Sequence, residues 1–530
     1  MEKVKKHLSN CITTTHWKEI GVYPHHGIVL GLFSLRSKDS LGIGEFTDLF
    51  PLIDWSNEVG LDTIQLLPLN ETSNDNSPYN ALSSCALDPM YIGISKLLEN
   101  ETTKLLHEDL KSLKELNNFS RIKYEKLKKR KYDFLFHYYR NVFEKVKKTA
   151  PYLTFIKQNS SWLEEYALFR VLKDLHDGKR WNQWTEKYRN LSEKAFYPLL
   201  EKHKDRIEFY YFLQYLCFSQ MTAVKDYATK KKILIKGDIP ILINADSVDL
   251  WRDRNVFDLS HVAGCPPDDN DANGQKWGFP LFNWEKMKKN GYKWWRRRLS
   301  VASSCYHMYR VDHAVGFFRI WSILPDEDAI QGRFLPRNPL KWAKQGRELL
   351  TMMIKATPML PIAEDLGVIP KIVPRVLKAL GICGIKIFRQ EKNIFRIFIP
   401  LNKYKPLSVT TLATHDQPVM SEWWLEEKKQ AKKLAKFLNF KYSYPMTFEE
   451  RLSLLIASHR TSSLFHINLF QEYLALIPSF VSKNPKEERI NVAGSCLSQN
   501  WTYRFLPTIE EIASNKKLTY AMKKITKKIK

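Results

Sequence analysis

Acidic residues are in short supply: 57 Asp and Glu face 83 Lys and Arg, a formal net charge of +26 over 530 residues. Cysteine is sparse too. The seven cysteines (Cys11, Cys85, Cys217, Cys265, Cys305, Cys383, Cys496) are scattered, odd in number and without a CxxC spacing. That argues against a disulfide framework and against a structural zinc site. There is no HxH or HExxH pair, no Walker loop, and no GxGxxG after a strand, so the patterns of a metal centre or a nucleotide-phosphate cradle are lacking. No apolar run approaches the roughly 18–20 residues of a membrane span. The opening MEKVKKHLSNCITTTHW has no apolar core of the signal-peptide kind. These absences predict a soluble, cytoplasmic protein with no membrane span and no metal site.

A basic excess can serve a polyanion, since Lys and Arg bind nucleic acid by releasing counterions. Here the lysines are spread over many helical-looking stretches, with local runs at Lys128–Lys131 and Lys230–Lys232. No RNP, zinc-finger or basic-zipper pattern accompanies them, so no nucleic-acid partner is expected. The last fifteen residues, Lys516–Lys530, hold seven lysines and are expected to be a solubilising basic tail.

What is present is a large apolar complement, 44% of residues with 15 tryptophans, enough for a sizeable core. Eight strand-like runs recur along the chain. They are His26–Leu35, Asp62–Leu69, Ile233–Pro240, Cys305–Val311, Leu360–Gly367, Gly384–Phe388, Ser408–Asp416 and one beginning at Ile467–Phe470. Several are almost continuously apolar, as in strands buried on both faces of a parallel sheet. Helical patterns separate them, notably Phe46–Val59, Lys371–Leu380 and Glu422–Phe440. The expected fold is α/β: a (β/α)8 TIM barrel over residues 22–510, with its active site at the C-terminal ends of its strands. A helical insertion is expected at 95–230, a substrate-covering loop region at 251–300, and the basic tail at 511–530. The polar stretch Asn70–Tyr91 reads as a long rim loop carrying Tyr79. The stretch Ala263–Pro280, rich in Gly and Pro, reads as a loop and against a strand; there Gln275 and Trp277 offer an amide and a stacking plane to a sugar.

Three strand-like runs close on acids. Asp312, Glu364 and Asp416 lie at equal intervals of 52 residues. Taken singly, each has a structural reading. Asp416 suits a helix N-cap, Glu364-Asp365 a solvated turn, and Asp312 an ion pair with Arg310. Gathered at one barrel rim, they point to glycosidic cleavage, in which one carboxylate attacks and another protonates the leaving oxygen. Arg310, two residues before Asp312, shares its face of the strand, and its cation would favour the anion that a nucleophile needs. Either Glu364 or Asp365 can supply the acid, and alternation along an all-apolar strand does not choose between them. His313 and His415 each adjoin an acid and suit hydrogen bonds to hydroxyls better than metal ligation.

These motifs resemble those of the 4-α-glucanotransferases (amylomaltases, or disproportionating enzymes) of the α-amylase-like superfamily. The matching stretches run from Gly27 to about Phe505. They are LGIGEF, LLPLN with SPYNA, WLEEYALF, KGDIPI, DSVDLW, GCPPD with GQKWG, YRVDH, AEDLG, ATHD, RINVAG and NWTYR. The GQKWG loop with its preceding PPD is much more specific than the three acid motifs, which many amylase-like enzymes share. The resemblance implies Asp312 as nucleophile, Glu364 as general acid/base and Asp416 as stabiliser of the distorted sugar. It implies that Arg310 orients Asp312, that His415 binds the same sugar, and that Tyr79, Gln275 and Trp277 line the glucan path; His313 and Asp365 are further candidate substrate-binding residues. It implies cleavage of an α-1,4 bond with retention, through a covalent glycosyl-enzyme, and transfer to the 4-hydroxyl of glucose or a maltooligosaccharide. No cofactor is implied. Departures occur at His313-Ala314-Val315-Gly316-Phe317, at Gln417-Pro418-Val419 and at Val492-Ala493; none removes a catalytic residue, and they bear on acceptor preference. Competing readings are an α-glucan hydrolase using the same carboxylates, and a non-enzymatic basic protein that binds glycogen or nucleic acid.

Overall fold

The computed structural model describes residues 1–73, 75–98, 104–267 and 272–527. Asp268 of the GCPPD motif, the start of the expected helical insertion at 99–103, and the last three residues of the basic tail lie outside the described residues. Among the described residues twelve strands form two sheets. They are β1 (His25–Leu30), β2 (Thr63–Leu66), β3 (Leu234–Ile239), β4 (Phe257–Cys265), β5 (Gln275–Phe282), β6 (Met308–Val311), β7 (Ile320–Ile323), β8 (Arg333–Leu335), β9 (Leu360–Ala363), β10 (Gly384–Ile387), β11 (Ser408–Thr411) and β12 (Phe465–Leu469).

Eight of them make one parallel sheet in the order β10-β11-β12-β1-β2-β3-β6-β9. The two ends meet where Ile362 bridges Cys383 and the Ala363 amide donates to the Cys383 carbonyl at 2.8 Å. The sheet is therefore a closed TIM barrel, without exposed edges. Seven of the eight expected runs overlap these strands along most of the observed strand, and the eighth starts two residues earlier than its expected Ile467. The first strand stops at Leu30, because Leu32–Ser34 turns into a 3₁₀ helix. The apolar runs are explained by burial: every residue of β1, β2, β6, β9, β11 and β12 is buried.

The expectation of a turn-rich loop at Ala263–Pro280 is corrected. β4 and β5 pair antiparallel, and β7 and β8 extend them into a four-stranded sheet, β5-β4-β7-β8. The Gly and Pro residues that argue for a loop fall at the hairpin's turn and at its irregular register. Pairing shifts between Asp258 and Val262 and again between Val262 and Gly264, with Pro280 opposite Val262. At Gly264 the strands come so close that a Cβ would lie 2.1 Å from the Gln275 carbonyl oxygen. Only glycine fits there.

Between β2 and β3 the long helices are Lys104–Lys114, Tyr124–Val146, Ala150–Leu175 and Lys204–Lys230. They clamp the rim loop that follows β2. Glu71 of that loop accepts from the Tyr132 and Tyr166 hydroxyls and lies 3.3 Å from the Arg170 guanidinium. Gln214 bonds both the amide and the carbonyl of Leu87, and Lys128 Nζ donates to the Ser73 carbonyl. A fully buried pair, Lys131–Glu45, ties the same helices to the loop after β1. Among the described residues no helix is long and apolar enough to cross a membrane.

The expectation of a merely solubilising tail is also corrected. Helix Lys516–Thr526 buries Leu518, Ala521, Met522 and Ile525, while Thr526 Oγ1 donates to the Val59 carbonyl at 2.7 Å. Those apolar residues follow i, i+3, i+4, i+7 spacing, so the helix docks one stripe and turns its lysines outward. Ile525→Ala is expected to cost about 2–5 kcal/mol. Lys523→Ala removes only an exposed pair with Glu58 and is expected to cost less than about 1 kcal/mol. Denaturant unfolding of both variants checks this; equally small losses would return the segment to a passive tail.

Candidate active site

Arg310 gathers the carboxylates. It stands near the end of β6, level with Asp238 on β3 and with Ile362 on β9. Its Nη1 donates toward both Asp238 oxygens at 2.9 Å and toward Asp312 Oδ1 at 2.7 Å. Its Nη2 lies 3.9 Å from Glu364 Oε2. Local chain geometry explains the convergence. Residues two apart on a strand share a face, so Arg310 and Asp312 point into the same mouth. Glu364 follows Ala363, the register partner of Val311, so it stands beside Asp312 on the neighbouring strand, with backbones about 4.8 Å apart.

Side-chain exposure sorts these groups into reachable and hidden. Asp238 is at 0%, Arg310 at 7%, Glu364 at 11%, Asp312 at 20% and Asp416 at 40%. Asp238 is therefore hidden, paired with Arg310, while Asp312 and Asp416 face the open mouth. The sequence reading missed Asp238. Its one signal was a carboxylate within an apolar strand, at the same parity as Lys236, whose Nζ donates to Gln65 Oε1 at 2.9 Å inside the barrel.

Glu364 accepts two backbone bonds, from His313 N at 2.9 Å and from Leu366 N at 2.8 Å. It is buried and not part of a solvated turn. Burial pushes its carboxyl up, Arg310 pulls it down, and Asp312 pushes it up again; the result is about 7. A carboxyl poised near neutrality suits proton transfer in both directions. Asp365 turns the other way. Its Oδ1 accepts from Ile385 N at 2.7 Å, and Gly384 makes room for it, since a Cβ there would sit 2.5 Å from Asp365 Oδ2. Strand alternation thus sends Glu364 to Arg310 and Asp365 to β10, so the two adjacent acids have different surroundings.

Asp416 is held by two neighbours. Asn491 Nδ2 donates to its Oδ1 at 2.6 Å, and His415 Nε2 lies 3.1 Å from its Oδ2. Desolvation raises its pKa, but His415, the Asn491 amide and Arg310 outweigh that and hold it well below the usual carboxylate range. In turn burial lowers His415, and Asp416 more than reverses it, so the His415 pKa is raised. The following helix Met420–Glu426 begins after Val419, so Asp416 is not its N-cap.

Rings complete the mouth. Tyr79 stacks on His415 at 5.3 Å and 17°, and Trp501 lies 5.6 Å from Tyr79 and 5.7 Å from His415. The Tyr79 hydroxyl donates to Asp238 Oδ2 at 2.8 Å. Trp277 meets His313 edge-on at 5.0 Å, and its indole N–H donates to Gln275 Oε1 at 3.0 Å. β5 thereby brings the GQKWG motif to the residue after Asp312. His313 has a left-handed backbone, φ 41°, and burial pushes its imidazole down to about 4. Asn491 and Trp501 sit inside the quoted RINVAG and NWTYR motifs, yet nothing in their local pattern singled them out. Among the described residues no group of three His, Cys, Asp or Glu is arranged to hold a metal ion.

Fold and site together define a (β/α)8-barrel enzyme with carboxylates gathered at the C-terminal mouth of its strands. Comparison with known proteins narrows the class. The sequence model of the 4-alpha-glucanotransferase family matches residues 30–509. The 4-alpha-glucanotransferase of Chlamydia pneumoniae is 42% identical over 98% of this chain and 99% of its own. That of Aquifex aeolicus is 30% identical over 90% of this chain and 94% of its own. The amylomaltase of Streptococcus agalactiae, solved in complex with acarbose, superposes with a TM-score of 0.80 at 26% identity, covering 95% of this chain and 99% of that one. The chain belongs to the 4-alpha-glucanotransferase family, enzymes that transfer glucan segments.

The electrostatics of the cluster can be checked directly. Because Asp312 raises Glu364 and Arg310 lowers it, Asp312→Asn is expected to move the Glu364 titration below about 7, and Arg310→Met above it. Carboxyl ¹³C NMR with Glu364→Gln as the subtraction reads both; shifts of the opposite sign would break the assignment.

Proposed function

We propose that the transfer runs with retention through a covalent glycosyl-enzyme on Asp312. An Asp312 oxygen bonds to C1 of the donor sugar while the C1–O4 glycosidic bond breaks. The Glu364 proton goes to the departing O4, and the reducing-end segment leaves. The 4-hydroxyl of an acceptor then attacks C1, its proton passes to Glu364, and the C1–Asp312 bond breaks. Two inversions at C1 give net retention. Asp416, steadied by His415 and Asn491, binds hydroxyls of the distorted sugar, and Arg310 and Asp238 orient Asp312. The rings of Tyr79 and Trp501 on one side, and Trp277 on the other, line the glucan path. The β4–β5 hairpin shields the intermediate from water, which favours sugar acceptors over hydrolysis.

The observation that carries this reading is the level placement of Asp312 and Glu364 on adjacent strands under one guanidinium, with Glu364 near 7. Retaining enzymes need their two carboxyls roughly 5–5.5 Å apart, and neighbouring barrel strands supply that spacing.

Incubation with maltotriose is expected to yield glucose together with oligomers longer than the substrate; shortening alone would favour a hydrolase. Asp312→Asn is expected to abolish transfer with the fold intact, and retained activity would refute its role as nucleophile. Glu364→Gln is expected to lower kcat on maltotriose by about 10²–10⁴-fold. It should still form an adduct from α-maltosyl fluoride, whose leaving group needs no proton, seen by mass spectrometry on the peptide carrying Asp312. For the first step Glu364 must be protonated. The wild-type kcat/KM should therefore fall as pH rises through about 7, a limb that Glu364→Gln lacks.

A further inference from the structure

Part of the +26 charge is concentrated on one face. Helix Lys428–Phe437 follows the Asp416 loop. It buries Ala431, Leu434 and Ala435 and leaves Lys428, Lys429, Lys432, Lys433 and Lys436 exposed, with Lys441 just beyond. At about 100° per residue these lysines fan over one continuous arc opposite the buried stripe. On one flank, Lys428, Lys432, Lys436 and Lys441 line an open groove of about 670 Å³ with Tyr444. On the other flank sits the hairpin that follows β10. It is closed by the Lys392–Phe398 bridge and by the Asn393 amide donating to the Ile397 carbonyl at 2.8 Å.

That hairpin packs on the lysine helix. Phe398 meets Phe437 at 5.4 Å, and Lys392 Nζ donates to Gln430 Oε1 at 3.0 Å. Its tip is open to solvent: Ile394 is 90% exposed, Phe395 75% and Ile397 61%. Arg396 stands between them, and Lys433 and Arg396 both act on Lys392. Of the carboxylates around this face, Glu391 pairs with Lys386 and Glu426 with Lys486, Glu450 accepts from Ser443 of the groove, and Glu427 acts on Lys392.

We propose that this hairpin tip and the adjoining lysine face form a docking surface for an anionic lipid bilayer, the three apolar side chains entering the interface while the lysines meet the headgroups. Both features have a use there. Apolar side chains on a projecting tip bury themselves at the headgroup–acyl boundary, and clustered lysines are drawn to negative surface potential. Nucleic acid would use the lysines but has no place for two isoleucines, and a neutral glucan has no use for the charge. The tip follows a barrel strand at its C-terminal end, so docking would hold the active-site mouth close to the membrane.

The test uses the full-length protein. Sedimentation is measured with vesicles of phosphatidylcholine alone and of equal parts phosphatidylcholine and phosphatidylglycerol, at low and high salt. Binding to the anionic vesicles only, weakened by salt, is expected. The double variant Ile394→Ser/Phe395→Ser and the triple variant Lys428→Gln/Lys432→Gln/Lys436→Gln should each weaken it by at least about tenfold. All five positions are exposed, and glucose release from maltotriose by each variant reports an intact fold. Equal binding to both vesicles, or none to either, would overturn the proposal. So would loss in the lysine variant with full binding by the tip variant, which would mean unspecific charge attraction. Capture of a single-stranded oligonucleotide without vesicle binding would overturn it in favour of nucleic acid.

Discussion

One buried guanidinium organises the mouth of this barrel. Arg310 has a hidden carboxylate behind it, Asp238, a reachable one beside it, Asp312, and a third within ion-pair distance, Glu364. A buried cation without partners would be costly, and so would any of these acids alone. Together they stay in place because each supplies what the others lack. One positive charge does not neutralise every acid around it, and burial beside Asp312 raises both Asp238 and Glu364. The packing of the mouth and a carboxyl poised near neutrality thus have the same origin.

The surroundings serve that cluster. Tyr79 bonds Asp238 from the long rim loop after β2, which closes on itself through the Asn70–Leu87 and Thr72–Ala81 bridges. The helices between β2 and β3 hold it as well, through Glu71, Leu87 and Ser73. They contribute no reacting atom, yet the aromatic wall of Tyr79, His415 and Trp501 depends on them. On the opposite side the β4–β5 hairpin sets Trp277 against His313, whose amide in turn bonds Glu364. Loop and hairpin therefore meet the same few side chains from two directions.

Much of the barrel was legible in the chain itself. Strands buried on both faces are apolar over much of their length, and eight such runs separated by helical patterns leave few alternatives. The misreadings have physical causes as well. In β4 and β5, Gly264 and Pro280 occupy close-approach and irregular positions of a real hairpin, so local turn propensity pointed the wrong way. In the tail, seven lysines drew attention from the stripe of Leu518, Ala521, Met522 and Ile525, whose spacing was visible. The closing bridge between Ile362 and Cys383 had no local sign at all, because it joins segments by register alone.

Residue type and order by themselves determined the eight strands of the barrel, the charged endings YRVDH, AEDLG and ATHD, and the shared face of Arg310 and Asp312, since alternation along a strand is a property of the backbone. Tertiary structure alone decided which acid of the Glu364-Asp365 pair enters the mouth, for that depends on how β9 is rotated between β6 and β10. It also decided that Asp238 backs Arg310, that Asn491 and Trp501 close on Asp416 and His415 from more than seventy residues away in the chain, and that Glu364 is desolvated. Proximity across strands and exclusion of water are properties of the packed barrel, and no single segment carries them.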